Sequence, residues 1–267
     1  MGEQLSQSIV MAPSAKEQIL GAVDSTLRSM RLLDRSAQVR RAVDLSLSSI
    51  NVEAIPDYLG DGKRAILVSN YPSVYSAMNA VIKVSCRLPG QRFRLNAIAR
   101  PEVVSGASVM LKALGIEHHV FPVQKDDAGV YRLDRRVLKD ILAFLDEPDG
   151  ILWMSITGST RGNGLLEEDR RTGAAQFAVS KGIPLVPMAL EYKEHKGKPR
   201  VVKVRFGEPI DPVGRIDMTD FEKSDYLNDL TRLAMCRIAQ LLPPGQRADF
   251  ENADEKYEET CRRLSAC

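Results

Sequence analysis

Between residues 62 and 212 the chain alternates short apolar runs with segments of helical periodicity, and that alternation leaves few folds open. The runs cover 65–69, 93–98, 119–123, 151–154, 184–190 and 201–206, with helical patterns over 74–86, 103–114, 131–146 and 170–181 between them. Strands that read as continuous apolar runs are buried on both faces, and a helix between successive strands is long enough to bring them together in parallel. The pattern predicts an α/β fold: a mostly parallel central sheet with helices on both faces. Sites in such sheets lie beyond the carboxyl ends of the strands.

Both flanks read as helical. Ser14 with Glu17 forms a capping box ahead of Ile19, Leu20, Val23, Leu27, Met30 and Leu33, and Asp34 caps a second helix through Val39, Val43, Leu45 and Leu47. The charges of this N-terminal pair nearly balance, so its apolar face is expected to pack on the core; a membrane surface is the alternative. Near the other end Thr219 with Glu222 opens a helix that runs to Leu242 and stops at Pro243-Pro244-Gly245. The charged tail, 247–264, reads as a solvated helix. The boundaries expected are 1–55 for the N-terminal helices, 56–215 for the α/β domain and 216–267 for the C-terminal helices.

Composition excludes several classes of function. With 267 residues, 44% of them hydrophobic, the chain can bury a sizeable core, and a net charge of only +2 gives no argument for nucleic acid. Cys86, Cys236, Cys261 and Cys267 are scattered without a CxxC pair, and the three histidines complete no cluster with them, so reduced thiols and no metal are expected. Neither a signal peptide nor an apolar run of membrane-spanning length is present, which reads as a cytoplasmic protein with peripheral membrane contact through the N-terminal helices left open.

Two strand ends carry candidate chemistry. After the run at 151–154 come Ser155-Ile156-Thr157-Gly158-Ser159-Thr160-Arg161-Gly162-Asn163-Gly164. Short side chains there leave backbone N–H groups open and Arg161 offers a bidentate partner, a combination suited to a phosphate, against the alternative of an ordinary Gly/Ser/Asn turn. After the first strand, Ser69-Asn70-Tyr71-Pro72-Ser73-Val74-Tyr75-Ser76 leads from a polar strand end into a helix.

The ordered series of segments over about 62–212 resembles the phospholipid/glycerol acyltransferase family, which includes glycerol-phosphate and lysophosphatidate acyltransferases. In that family an HxxxxD motif follows the first strand, then come a strand ending in Arg, an FPEGTRS motif, and a GA-rich helix leading to an IPIVPV-like strand. Ser69 to Ser76 matches the first motif in position, with Tyr71 at the His and Ser76 at the Asp. The segment from Ala113 to Lys125 is similar to the second, with Lys125 near its Arg. Ile156 to Arg161 aligns with the third, with Gly158 at its Glu and Ser159 at its Gly. Thr172 to Ala178, Gly182 to Ala189 and Val204 to Ile210 follow the family order most closely.

The resemblance implies a glycerol-phosphate acyltransferase-like fold and a set of site residues. Asn70, Ser73, Lys125, Ser159, Thr160 and Arg161 would contact phosphate or substrate, Ile183, Leu185 and Val186 would line an acyl pocket, and Tyr71 and Ser76 hold the dyad positions. No cofactor is implied beyond acyl-CoA or acyl-ACP as donor substrate. The departures fall on the catalytic groups: the family's His is the general base, whereas tyrosine, with a pKa of about 10, is a donor at neutral pH, and serine supplies no anion to support an imidazolium. His118 and His119 begin a strand whose far end would face the site, and His195 falls in a hydrophilic turn, so none replaces the base. The expectation is an acyltransferase-like protein with degenerate motifs that binds a phospholipid, acyl chain or acyl-carrying partner. The alternative is a divergent active enzyme moving an acyl group from acyl-CoA or acyl-ACP to a glycerol-phosphate, lysophospholipid or other hydroxyl or amine acceptor.

Overall fold

A computed structural model of the chain describes residues 48–60, 62–88, 95–100, 120–125, 131–157, 165–168, 171–212 and 220–266. The elements in order are β1 (Asn51–Val52), β2 (Ala65–Ser69), α1 (Val74–Ser85), β3 (Leu95–Ala99), β4 (Val120–Pro122), β5 (Gln124–Lys125), β6 (Tyr131–Arg132), α2 (Arg135–Phe144), β7 (Ile151–Ser155), α3 (Gly173–Lys181), β8 (Leu185–His195), β9 (Lys198–Phe206), α4 (Asp220–Leu241) and α5 (Ala253–Ala266). Helical expectations over 14–47 and 103–114, together with His118, His119, the 158–164 loop and the Thr219 cap, lie outside the described residues.

Seven strands form one sheet in the order β1-β9-β8-β2-β7-β3-β4, while β5 and β6 pair separately. Every neighbouring pair in the large sheet is parallel except β8 and β9, a hairpin. The central strands alternate between two cores. Ala65 and Leu67 of β2, with Ile151 and Trp153 of β7, meet Ala77, Ala80, Val81 and Val84 of α1 on one side. Ile66, Val68 and Leu152 meet Ala174, Ala175, Phe177 and Ala178 of α3 on the other, with α2 and α4 joining them. Burial on both faces explains why these strands read as unbroken apolar runs. The expected α/β architecture with helices on both faces is therefore present.

Local signals place several element ends. Asp134 accepts from the Arg136 N–H at 2.7 Å and so caps α2, which begins later than the 131–146 pattern suggests because Tyr131 and Arg132 pair with β5. Helix α3 ends at Gly182, whose φ of 58° lies in the left-handed region that glycine enters without strain. Strand β8 runs to His195, well beyond the apolar stretch that marked it in the sequence, since pairing with β9 carries its polar end.

The C-terminal tail is not the solvated helix expected from its charge. Phe250 and Thr260 are fully buried, and α5 lies along α4 through an Arg263–Asp229 ion pair at 2.8 Å, a Gln240–Asp254 hydrogen bond at 2.8 Å and Arg237 over the Tyr257 ring. Charge dominates the composition of α5, but one stripe of it is apolar and meets the core, where Ala253 is buried and Tyr257 and Leu264 pack at its edge. The loop after β7 is tied to the same region. Leu166 is fully buried, its N–H donates to the Gln246 carbonyl at 3.3 Å, and the Glu168 N–H donates to the Asp249 carboxylate at 2.8 Å.

Candidate functional site at the carboxyl ends of β2 and β7

Strands β2 and β7 are hydrogen-bonded neighbours in register, with Ser69 beside Ser155, yet they lead to opposite faces of the sheet. The chain leaving β2 enters α1 and packs with one core, whereas the chain leaving β7 reaches α3 in the other. Adjacent parallel strands whose connections part in this way open a crevice at their carboxyl ends. The segment Ser69 to Ser76 and the residues Ser155, Ile156 and Thr157 lie at or directly after these two strand ends, with Arg100 following β3 one strand further along.

The polar side chains of the 69–76 segment mostly hold the fold together. Ser69 is fully buried and accepts from the Trp153 indole N–H at 2.9 Å. Asn70, also fully buried, donates to the Leu190 carbonyl at 3.0 Å and accepts from the Leu190 N–H at 2.8 Å, so its amide takes over where β2 ends and satisfies the buried edge of β8 there. Gln246 repeats the arrangement two residues on, donating to the Tyr192 carbonyl at 2.6 Å and accepting from its N–H at 3.3 Å. Ser73 donates to the Pro199 carbonyl at 3.1 Å, and Ser76 accepts from the Val201 N–H. That last N–H sits where the β8–β9 register shifts between Glu191 and Tyr192. Ser73 and Ser76 thus join the start of α1 to the hairpin, and Asn70 joins the end of β2 to it.

Tyr71 differs. Its ring stacks on Trp153, with centroids 6.2 Å apart and planes 24° from parallel, while no described residue forms a hydrogen bond with its hydroxyl. Burial pushes the phenol up to about 12, with the Arg100 guanidinium pulling the other way. The hydroxyl is therefore a proton donor through the whole physiological range and no base. The sign of its linkage is clear: a phenol whose folded pKa exceeds its unfolded value of about 10 stabilises fully below pH 10, and that contribution is lost as pH rises through 12. Tyr58, likewise pushed up to about 12 by burial and Glu208, acts in the same direction. We expect Tyr71→Phe to lose less stability than the parent between pH 9.5 and 11.5, read from urea midpoints; equal slopes would exclude this account of Tyr71.

The remaining expected site residues that the structure describes do not converge. Ile183 and Leu185 are buried in the core beneath α3, but Val186 points to the core beneath α1, so the three line no common wall. Alternation along a strand makes that separation unavoidable for residues 185 and 186. Lys125 is exposed on the short β5–β6 ribbon, and Ser159, Thr160 and Arg161 lie outside the described residues. His195 is exposed at the tip of the hairpin. Ser155 and Thr157, whose hydroxyls are 3.3 Å apart, and Arg100 beside Tyr71 were not among the expected binding residues. Arg100 had a usable signal, since it lies just beyond the strand expected over 93–98, while the serine–threonine pair had only its place in the Gly/Ser loop. Cys236 is buried with its thiol pushed up to about 11 by burial, which keeps it protonated. Among the described residues no group of three His, Cys, Asp or Glu is placed to hold a metal ion, and no helix is long and apolar enough to cross a membrane.

Compared with known proteins, the chain matches no family model, no curated protein and no solved structure.

Proposed function

We propose that this chain is an acyltransferase-like binding protein that holds a phosphate-bearing or acyl-bearing ligand, such as a phospholipid or an acyl-carrying partner, at the β2–β7 crevice without His–Asp catalysis. The observation that carries this reading is the occupation of the 69–76 segment: Ser69, Asn70, Ser73 and Ser76 hydrogen-bond to the fold, and Tyr71 stays protonated. General-base catalysis needs a group able to take the acceptor's proton, and none of these is one. Tyr71 and Arg100, whose guanidinium acts on the phenol, offer donors for a carbonyl or phosphate oxygen, to which Thr160 and Arg161 would add from the following loop.

A divergent acyltransferase is the second reading, favoured by the Tyr71 hydroxyl having no hydrogen-bond partner among the described residues. The two separate in a thioester-consumption assay with acyl-CoA and acyl-ACP as donors and glycerol phosphate or lysophospholipid as acceptors. We expect no turnover above background, with calorimetric binding of an anionic phosphate ester that Arg161→Ala weakens. Turnover that Tyr71→Phe abolishes would establish the enzyme instead, and unchanged affinity in the Arg161 variant would remove the phosphate site.

A further inference from the structure

The outer half of the β8–β9 hairpin carries a charge pattern that folding alone disfavours. Lys193 stands directly across from Arg200, and His195 directly across from Lys198. Since side chains alternate along a strand, these four share one face of the ribbon, and the like charges of Lys193 and Arg200, placed opposite each other, destabilise the strand pair. All four are exposed. Among the described residues neither Lys193 nor Lys198 has an ion-pair partner, and Arg200 reaches only the neutral Ser49 hydroxyl, at 2.9 Å. The one acid in this stretch, Glu194, pairs across to Pro199 and so belongs to the opposite face.

The turn adds a fifth basic group against local preference. Lys196 and Gly197 both have positive φ, 53° and 73°, as a two-residue turn of this hand requires. Glycine meets that requirement freely and asparagine meets it readily, whereas a lysine is strained there. Sequence choice at the tip thus favours positive charge over both pairing and turn geometry.

The position of the hairpin gives this charge a direction. Strand β8 pairs in parallel with β2 up to Met188 beside Ser69 and then continues to His195, so the basic tip projects past the sheet edge where the crevice lies. No exposed large hydrophobic residue accompanies it: among the described residues the only one is Leu138, on α2. Protein interfaces are centred on buried apolar and aromatic groups with few lysines, whereas lysines on a projecting tip suit a laterally mobile sheet of anionic headgroups.

We infer that the Lys193, Lys196, Lys198 and Arg200 face is an electrostatic docking surface for an anionic lipid bilayer, and that it sets the carboxyl-end crevice towards the membrane. This surface is distinct from the crevice, and its test does not depend on what the crevice binds. The full chain is sedimented with vesicles of phosphatidylcholine alone and of phosphatidylcholine with about one quarter phosphatidylglycerol. We expect binding only to the anionic vesicles, lost on raising the salt from about 0.1 M to 0.5 M. Each lysine near an anionic surface contributes about fivefold in partitioning, so Lys193→Ala with Lys198→Ala should weaken binding roughly 25-fold. The thermal midpoint should stay level or rise, because opposed like charges have been removed. Failure of the parent to bind, equal binding to neutral vesicles, or an unchanged partition coefficient in a folded double variant would each overturn the inference. Stronger retention by an acidic protein than by the vesicles would overturn the choice of partner.

Discussion

Asn70→Ala should lower stability by about 2–5 kcal/mol, because it strips partners from two buried backbone groups at once, the N–H and the carbonyl of Leu190. For a chain of this size that is a fall of roughly 10 °C in the thermal midpoint. Gln246→Ala supplies the contrast. It removes the same pair of bonds from Tyr192, but at a partly exposed position where water can replace the amide, and about 1 kcal/mol or less is expected. Similar midpoints for the Asn70 variant and the parent would mean that the edge of β8 is satisfied in some other way. The result bears on function, because an amide holding the sheet edge is not available to position a substrate.

Phe250→Ala should be comparably severe, at about 3–5 kcal/mol, since it empties a fully buried aromatic site between the main core and the C-terminal segment. Lys256 lies over this ring with its ammonium 4.7 Å from the centroid and donates to the Asp249 carbonyl at 2.6 Å, so the start of α5 is anchored around it. Loss of Phe250 should therefore release α5 before the rest of the domain. Hydrogen exchange would show this as faster exchange over 253–266 at denaturant concentrations where β2 and β7 remain protected. Unchanged protection of α5 would mean that its ion pairs with α4 hold it alone, more than partly exposed pairs usually supply.

The two variants also mark where sequence reading stops. Strand β2 matched its expected residues, and α1 and α3 lay close to theirs, because apolar continuity, helical period and a terminating glycine are local properties. The C-terminal segment misled because its acids and bases outweigh the few apolar residues, Phe250, Ala253, Tyr257 and Leu264, that decide where it packs. At the candidate site the sequence picked out two strand ends that the structure sets side by side, and the absence of a histidine base at position 71. It did not separate residues that face a ligand from residues that face the backbone.

The sequence alone determined the alternation of strands and helices, hence a parallel sheet with its crevice at the carboxyl ends, and the chemical limits of Tyr71 and Ser76 as replacements for a base and an anion. Only the tertiary structure decided what Asn70, Ser73 and Ser76 do, since their partners Leu190, Pro199 and Val201 lie 120 or more residues away along the chain. It also decided that Lys193 and Arg200 stand side by side, through the register of one hairpin. Hydrogen bonds and charge pairs of that kind depend on which chain segments meet in space, and no local pattern of residues records the meeting.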